Sequence, residues 1–187
     1  MAIHMLDHSL PGTIAAMSSN DVFVRALETI QRRFHLTLEG ITREQLIYRP
    51  HPETNSIAWL GWHLTRWQDT QVSRFAGQKQ AWVDAWAAKF GLEPDPDNTG
   101  IGHTNQQVAA MQPSAQLLRD YHDAIYARSV AYLSSGADLE RQVDNPHTGA
   151  TDSISGRLVG VLSDNFQHVG QMAYLRGLLA ENHWGAH

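Results

Sequence analysis

Apolar residues recur every three to four positions along four stretches of this chain, the period of one face of an α-helix. In the first, residues 20–38, Phe23, Leu27, Ile30, Phe34 and Leu38 make the stripe. Ser19, Asn20 and Asp21 offer capping oxygens at its start, and Gly40 ends it. The second, residues 56–75, turns Ile57, Leu60, Leu64 and Trp67 inward. Asn55 or Ser56 caps it after a turn carrying Pro50 and Pro52, and Gly77 stops it. The third, residues 113–133, aligns Leu117, Tyr121, Ala124, Ile125 and Arg128 and closes at Gly136. The fourth, residues 155–179, places Leu158, Val161, Asn165, His168, Met172, Leu175 and Leu179 at spacings of three and four.

At about 1.5 Å per residue these helices are roughly 28–38 Å long and match one another. Four amphipathic helices of similar length predict an all-α fold, a four-helix bundle, with residues 1–187 as one domain. The connections are unequal. Residues 40–55 make a moderate loop, but residues 77–112 form an insert far longer than an ordinary helix–helix connection. That insert holds a short helical patch with Trp82 and Trp86, then a turn-rich run through Pro94, Pro96 and Gly100. Such a crossover frees the bundle from a simple up-down-up-down order. The last loop, residues 136–152, is polar.

Composition narrows the function classes. The 187 residues are 42% hydrophobic and carry a net charge of -5 with the two signs interspersed, and Lys occurs only at Lys79 and Lys89. No basic stripe is present, so nucleic acid is not an expected partner. No apolar run is long enough to span a bilayer. Met1 to Leu10 lacks a basic segment followed by an apolar one, which points to the cytoplasm. With no Cys, the chain has neither thiolate ligand nor cysteine nucleophile, and any thiol must come from outside. Of the eleven histidines, His4, His8, His51, His103, His147, His183 and His187 fall in loops or tails and read as solvated. No Gly-rich phosphate loop and no Gly-x-Ser-x-Gly elbow is found.

The chemistry-bearing residues concentrate on the second and fourth helices. Asp164 and His168 stand four apart, so they share a helix face with Cβ atoms about 5–6 Å apart. That spacing suits two ligands of one metal ion, and it equally suits a buried His–Asp packing pair. A carboxylate facing inward requires a partner or an ion. His63 lies among Trp59, Leu60 and Trp67 and reads either as a core histidine or as a third ligand. Arg66 and Asp69 read as solvent-facing charges, and His122 as a surface residue beside Tyr121. His35 reads as a partner for the last carbonyls of the first helix. The tryptophans Trp59, Trp62, Trp67, Trp82 and Trp86 read as core, interface or pocket lining.

Two runs together resemble the DinB-like superfamily. One is Leu46-Ile47-Tyr48-Arg49-Pro50 followed by Asn55-Ser56-Ile57-Ala58-Trp59-Leu60-Gly61-Trp62-His63-Leu64; the other is Asp164-Asn165-Phe166-Gln167-His168-Val169-Gly170-Gln171. The resemblance implies a four-helix bundle holding a divalent metal between helices two and four. Carried over residue by residue, its ligands are His63, Asp164 and His168. Most members have His where this chain has Asp164. A carboxylate there is similar to the branch that includes mycothiol-dependent maleylpyruvate isomerase, whose further catalytic domain this chain does not match. Two imidazoles and one carboxylate suit Zn, Ni or Fe with positions left open.

The function the resemblance implies is a metal-dependent transferase acting with a low-molecular-weight thiol, of the mycothiol or bacillithiol type, on an electrophile. Gln171 and Arg176 would then flank the ligands or the thiol. The alternative is a non-catalytic metal-binding or stress-related bundle. Tryptophans in the insert and apolar bundle faces lead to the expectation of a homodimer.

Overall fold

Each long helix of the protein begins on a hydroxyl placed to accept the first free backbone N–H groups. The computed structural model describes residues 17–145 and 149–179; His4, His8, His147, His183, His187 and the segment from Met1 to Leu10 lie outside them. Helix α1 spans Ser19–Leu38, with Ser18 rather than Ser19 as its cap and Asp21 completing a reciprocal capping box. A short α2, Arg43–Ile47, follows, capped by Thr42. Helix α3 spans Ile57–Phe75, where Ser56 accepts from the Trp59 N–H at 3.1 Å. After the insert come α6, Ala115–Ser134, capped by Ser114, and α7, Ile154–Leu179. Gly40, Gly77 and Gly136 follow three of these helices at φ 59°, 63° and 77°, a region that favours glycine.

The bundle is arranged as a ring in which α3 packs on α7 and α6, and α1 packs on α6 and α7. Helices α1 and α3 therefore face each other across the core. Gly61 makes that approach close: a Cβ there would lie 3.2 Å from Phe34 and 3.3 Å from Met172. Phe34, Leu60, Trp62, Ile125 and Met172 fill the centre, while Phe23, Leu27, Phe75, Leu133 and Leu158 form a second cluster towards one end.

The insert is more structured than its composition suggests. It contains a π-helical turn, Trp82–Trp86, running into α4, Ala87–Lys89, and then α5, Asn105–Ala110. Between α6 and α7 the polar loop forms a two-stranded antiparallel ribbon, β1 Gln142–Asp144 and β2 Thr151–Ser153, with Val143 opposite Asp152. Three-residue strands carry too few alternating positions to be read from hydropathy.

Two sequence expectations are reversed here. Arg66 and Asp69 are 0% and 1% exposed, because the insert folds over the outward face of α3. Asp69 accepts from the N–H groups of Ala81 and Trp82 at 3.1 and 2.9 Å, and from the Tyr121 hydroxyl at 3.0 Å. Arg66 donates to Asp69, to the Gln80 side chain and to the carbonyls of Pro96 and Asn98. The pair is thus a buried clamp that seats the crossover on α3. Burial and the neighbouring Asp69 carboxylate push the Tyr121 hydroxyl well above its ordinary pKa, so it stays a donor.

His122 is the second reversal. The inward stripe of α6 is Leu118, Tyr121, His122, Ile125, Ser129 and Leu133, with Leu118 and Ser129 standing where Leu117 and Arg128 were predicted. The His122 ring stacks on Phe34 at 4.2 Å and 13°. Trp82 is likewise fully buried within the chain and Trp86 packs against Tyr121, so the insert tryptophans leave no exposed pair for a partner to cover. No described helix is long and apolar enough to cross a membrane.

Candidate metal centre

A ladder of side-chain amides sets the rotation of α7 against α3. Asn165, fully buried, donates to Gln68 at 2.7 Å, and Gln68 donates to Ser129 at 2.9 Å. Arg157 reaches Gln71 across the same seam at 2.7 Å. With Asn165 so anchored, Asp164 and His168 turn to one side of it and face His63 on α3. The three sequence-predicted residues are brought together: one ligand atom from each lies within 4.8 Å of the others.

Each histidine has one nitrogen committed elsewhere. His63 Nδ1 donates to the Thr99 carbonyl, so Nε2 carries the lone pair and points at Asp164 Oδ1, 3.8 Å away. His168 Nδ1 donates to Gln171 Oε1 at 2.7 Å, leaving Nε2 3.3 Å from the same carboxylate oxygen. A hydrogen bond at one imidazole nitrogen fixes the tautomer that ligates through the other. The His63 ring is further held by stacking on Trp59 at 4.7 Å and 14°, and it meets His168 edge to face at 4.9 Å.

The distances can be set against those of a packing pair and of a ligand set. An ion-paired hydrogen bond closes to about 2.7–2.9 Å, as His35 and Asp123 do elsewhere in this chain at 2.7 Å. Atoms bound tetrahedrally to one metal at about 2.0–2.2 Å stand about 3.3–3.6 Å apart. The separations of 3.3 and 3.8 Å are both longer than the His35–Asp123 contact; the first matches the ligand spacing and the second lies just beyond it. Asp164 Oδ2, moreover, is buried and has no hydrogen-bond partner. An orphaned carboxylate oxygen is costly unless a cation compensates it. The donor set fits a divalent metal with open positions.

Electrostatics separate the two imidazoles. Burial holds the His63 pKa below the ordinary value, with the Thr99 carbonyl and Asp164 opposing it. For His168 burial also acts against the cation, but the hydrogen bonds to Asp164 and Gln171 and the Asp164 charge outweigh it, and its pKa is raised.

Several contributors were not readable beforehand. His103, expected to be solvated, stacks on Trp62 at 5.5 Å, accepts from Trp59 Nε1 at 3.2 Å and pairs through Nε2 with Asn98 at 3.0 Å. Trp59 is therefore pinned between His63 and the insert. Thr99 acts through its carbonyl, which no side-chain pattern reveals. Gln171 lies beside the cluster as the resemblance implied, whereas Arg176 turns away to Gln45 and the Glu39 carbonyl. His35 joins Asp123 on α6 and not the carbonyls at its own helix end.

Comparison with known proteins places the fold. Among curated proteins none matches the chain. The crystal structure of a conserved protein from Enterococcus faecalis is similar, with 29% identity and a TM-score of 0.76, covering 88% of this chain and 98% of that one. The family model of the DinB superfamily matches residues 26–172. The chain belongs to the DinB superfamily.

Proposed function

We propose that this chain is a metal-dependent transferase in which His63, Asp164 and His168 hold a divalent ion, zinc, nickel or iron, and an external thiol attacks an electrophile. The observation that carries the reading is the convergence of one ligand atom each from His63, Asp164 and His168 within 4.8 Å of one another, on a carboxylate whose other oxygen, Oδ2, is buried without a partner. A divalent ion there would lower the pKa of a bound thiol or water towards neutrality.

The chain's own residues supply the rest. Thr99 and Gln171 orient the two imidazoles, each taking Nδ1 so that Nε2 is left towards the site. Trp59 covers one face of His63 and limits water on that side. In the transfer, the thiol sulfur forms a bond to the electrophilic carbon while the leaving group departs with its electron pair and the thiol proton goes to solvent. The chain has no Cys, in keeping with a thiol of the mycothiol or bacillithiol type supplied from outside.

Metal content of protein purified without a histidine tag tests the site. Wild type is expected to hold about one ion per chain, while a His63→Ala/His168→Ala double variant holds none. Equal content in the two would refute the assignment. Turnover is tested by metal-dependent loss of each bacterial thiol in the presence of a monochlorobimane-type acceptor. No such loss with any thiol would leave a metal-binding bundle without transferase activity.

A further inference from the structure

A groove of about 630 Å³ runs along α7 from the metal-site side towards the end of the helix, closed opposite by the loop after α2. Its size is that of a small-molecule site. Leu60 and Leu175 form the floor, Tyr174 and Leu178 the walls, and Thr54, Asn55, Gln167 and Gln171 the polar groups. Two of these residues tie it to the cluster: Leu60 lies one turn before His63 on α3, and Gln171 is the acceptor that orients His168. Neither the groove nor a smaller cavity of about 370 Å³ behind His103 is lined by the candidate ligands, but the groove includes Gln171, which is bonded to one of them.

The lining residues of the groove include no Asp, Glu, Lys, Arg or His. A carboxylate, phosphate or sulfonate entering it would lose hydration with no counter-charge, a large cost in an apolar cleft. What suits the groove is an uncharged molecule with an aromatic or aliphatic body and a polar end near Gln171 and Asn55. Gly170 keeps one wall open, since a Cβ built there meets nothing within 4 Å.

We infer that this groove seats the electrophile, and that the electrophile is an uncharged, largely apolar small molecule; the inference rests on the proposed metal centre as the place where the thiol is activated. Tyr174 and Leu178, 69% and 54% exposed, are then walls of a ligand site.

The test uses the full chain with added zinc and two fluorescent probes of matched ring system, neutral N-phenyl-1-naphthylamine and its sulfonated analogue 1-anilinonaphthalene-8-sulfonate. The neutral probe is expected to bind at least about tenfold more tightly, the equivalent of one factor of ten in Kd. Gly170→Leu fills the groove and suits a helix better than glycine. It should weaken the neutral probe at least about tenfold, with the metal content and helical circular dichroism of wild type. Equal binding of the two probes, or undiminished binding by Gly170→Leu, overturns the inference. So does a dimer, seen by sedimentation velocity, that Tyr174→Arg dissociates while neither probe binds, because a second copy of the chain then fills the groove. Metal content measured on the same samples keeps the two readings apart. A metal-loaded chain that ignores the neutral probe refutes the groove alone, and a metal-free chain that binds it refutes the metal centre alone.

Discussion

Asp164 stands 3.3 Å from His168 and 3.8 Å from His63, touching neither imidazole as closely as Asp123 touches His35. Three groups that would gain by closing up are instead held apart around one point. The restraints are external to them: the Asn165–Gln68 bond fixes α7, and the Thr99 carbonyl and Gln171 fix the rings.

If Gln171 orients His168, then Gln171→Leu should lower metal affinity about 10–100-fold, the usual effect of losing a group that positions a ligand. Its side chain is exposed, so stability should change by no more than about 0.5 kcal/mol. Gln171→Glu, which keeps an acceptor, should restore most of the affinity. Competition against a chelator of known affinity measures both.

Gly100 follows the residue whose carbonyl holds His63. Its φ is 94°, and a Cβ there would lie 2.8 Å from both Trp59 and Trp62. Gly100→Ala is expected to destabilise the fold by about 1–3 kcal/mol and to weaken metal binding as Trp59 and Thr99 shift. Urea unfolding and chelator competition, read together, check it. Gly102→Ala, also at positive φ but with open space around it, should leave metal binding unchanged.

The clamp beneath the insert makes a third case. Asp69→Ala leaves the Arg66 guanidinium buried without its carboxylate, a loss of about 3–5 kcal/mol. The double variant Arg66→Met/Asp69→Leu removes both charges and should cost less than Asp69→Ala alone. A double variant as unstable as the single one, by denaturant titration, would show that the backbone N–H bonds to Ala81 and Trp82 matter more than the charge pair.

His122 gives the pH dependence. Burial pushes its pKa from 6.5 down to about 3, with Asp123 opposing only in part. Between those values the unfolded chain binds a proton here that the folded chain does not, so stability falls as pH falls. The slope from this one group is about 1.4 kcal/mol per pH unit, beginning near pH 6.5 and ending near pH 3. His122→Leu should flatten the profile by that amount while keeping the contact with Phe34. Unfolding free energies between pH 7 and pH 4 decide it.

The bundle was legible because four long helices carry strong periodic patterns and side-chain caps; the boundaries of α1, α3, α6 and α7 fall within two residues of expectation. Of the candidate site, His63, Asp164 and His168 were found through a family pattern, since spacing alone equally allowed a packing pair. The burial of Arg66 and Asp69 was hidden because polar residues on a helix face read as solvated unless the sequence shows what will cover them, and here the cover is the folded insert. His122 was hidden because the inward stripe of α6 is rotated from the apolar one, which turns its ring onto Phe34 of α1. The Thr99 carbonyl was hidden for another, because a backbone acceptor leaves no trace in residue type.

The crossover supplies none of the three candidate ligands, yet it carries the acceptor that decides which nitrogen of His63 is available. A transplant of the three ligands onto a shorter bundle with a tight α3–α6 turn would reproduce their positions and lose that choice. The smallest portable unit of this site therefore includes the 96–103 segment together with Arg66 and Asp69, which keep it in place.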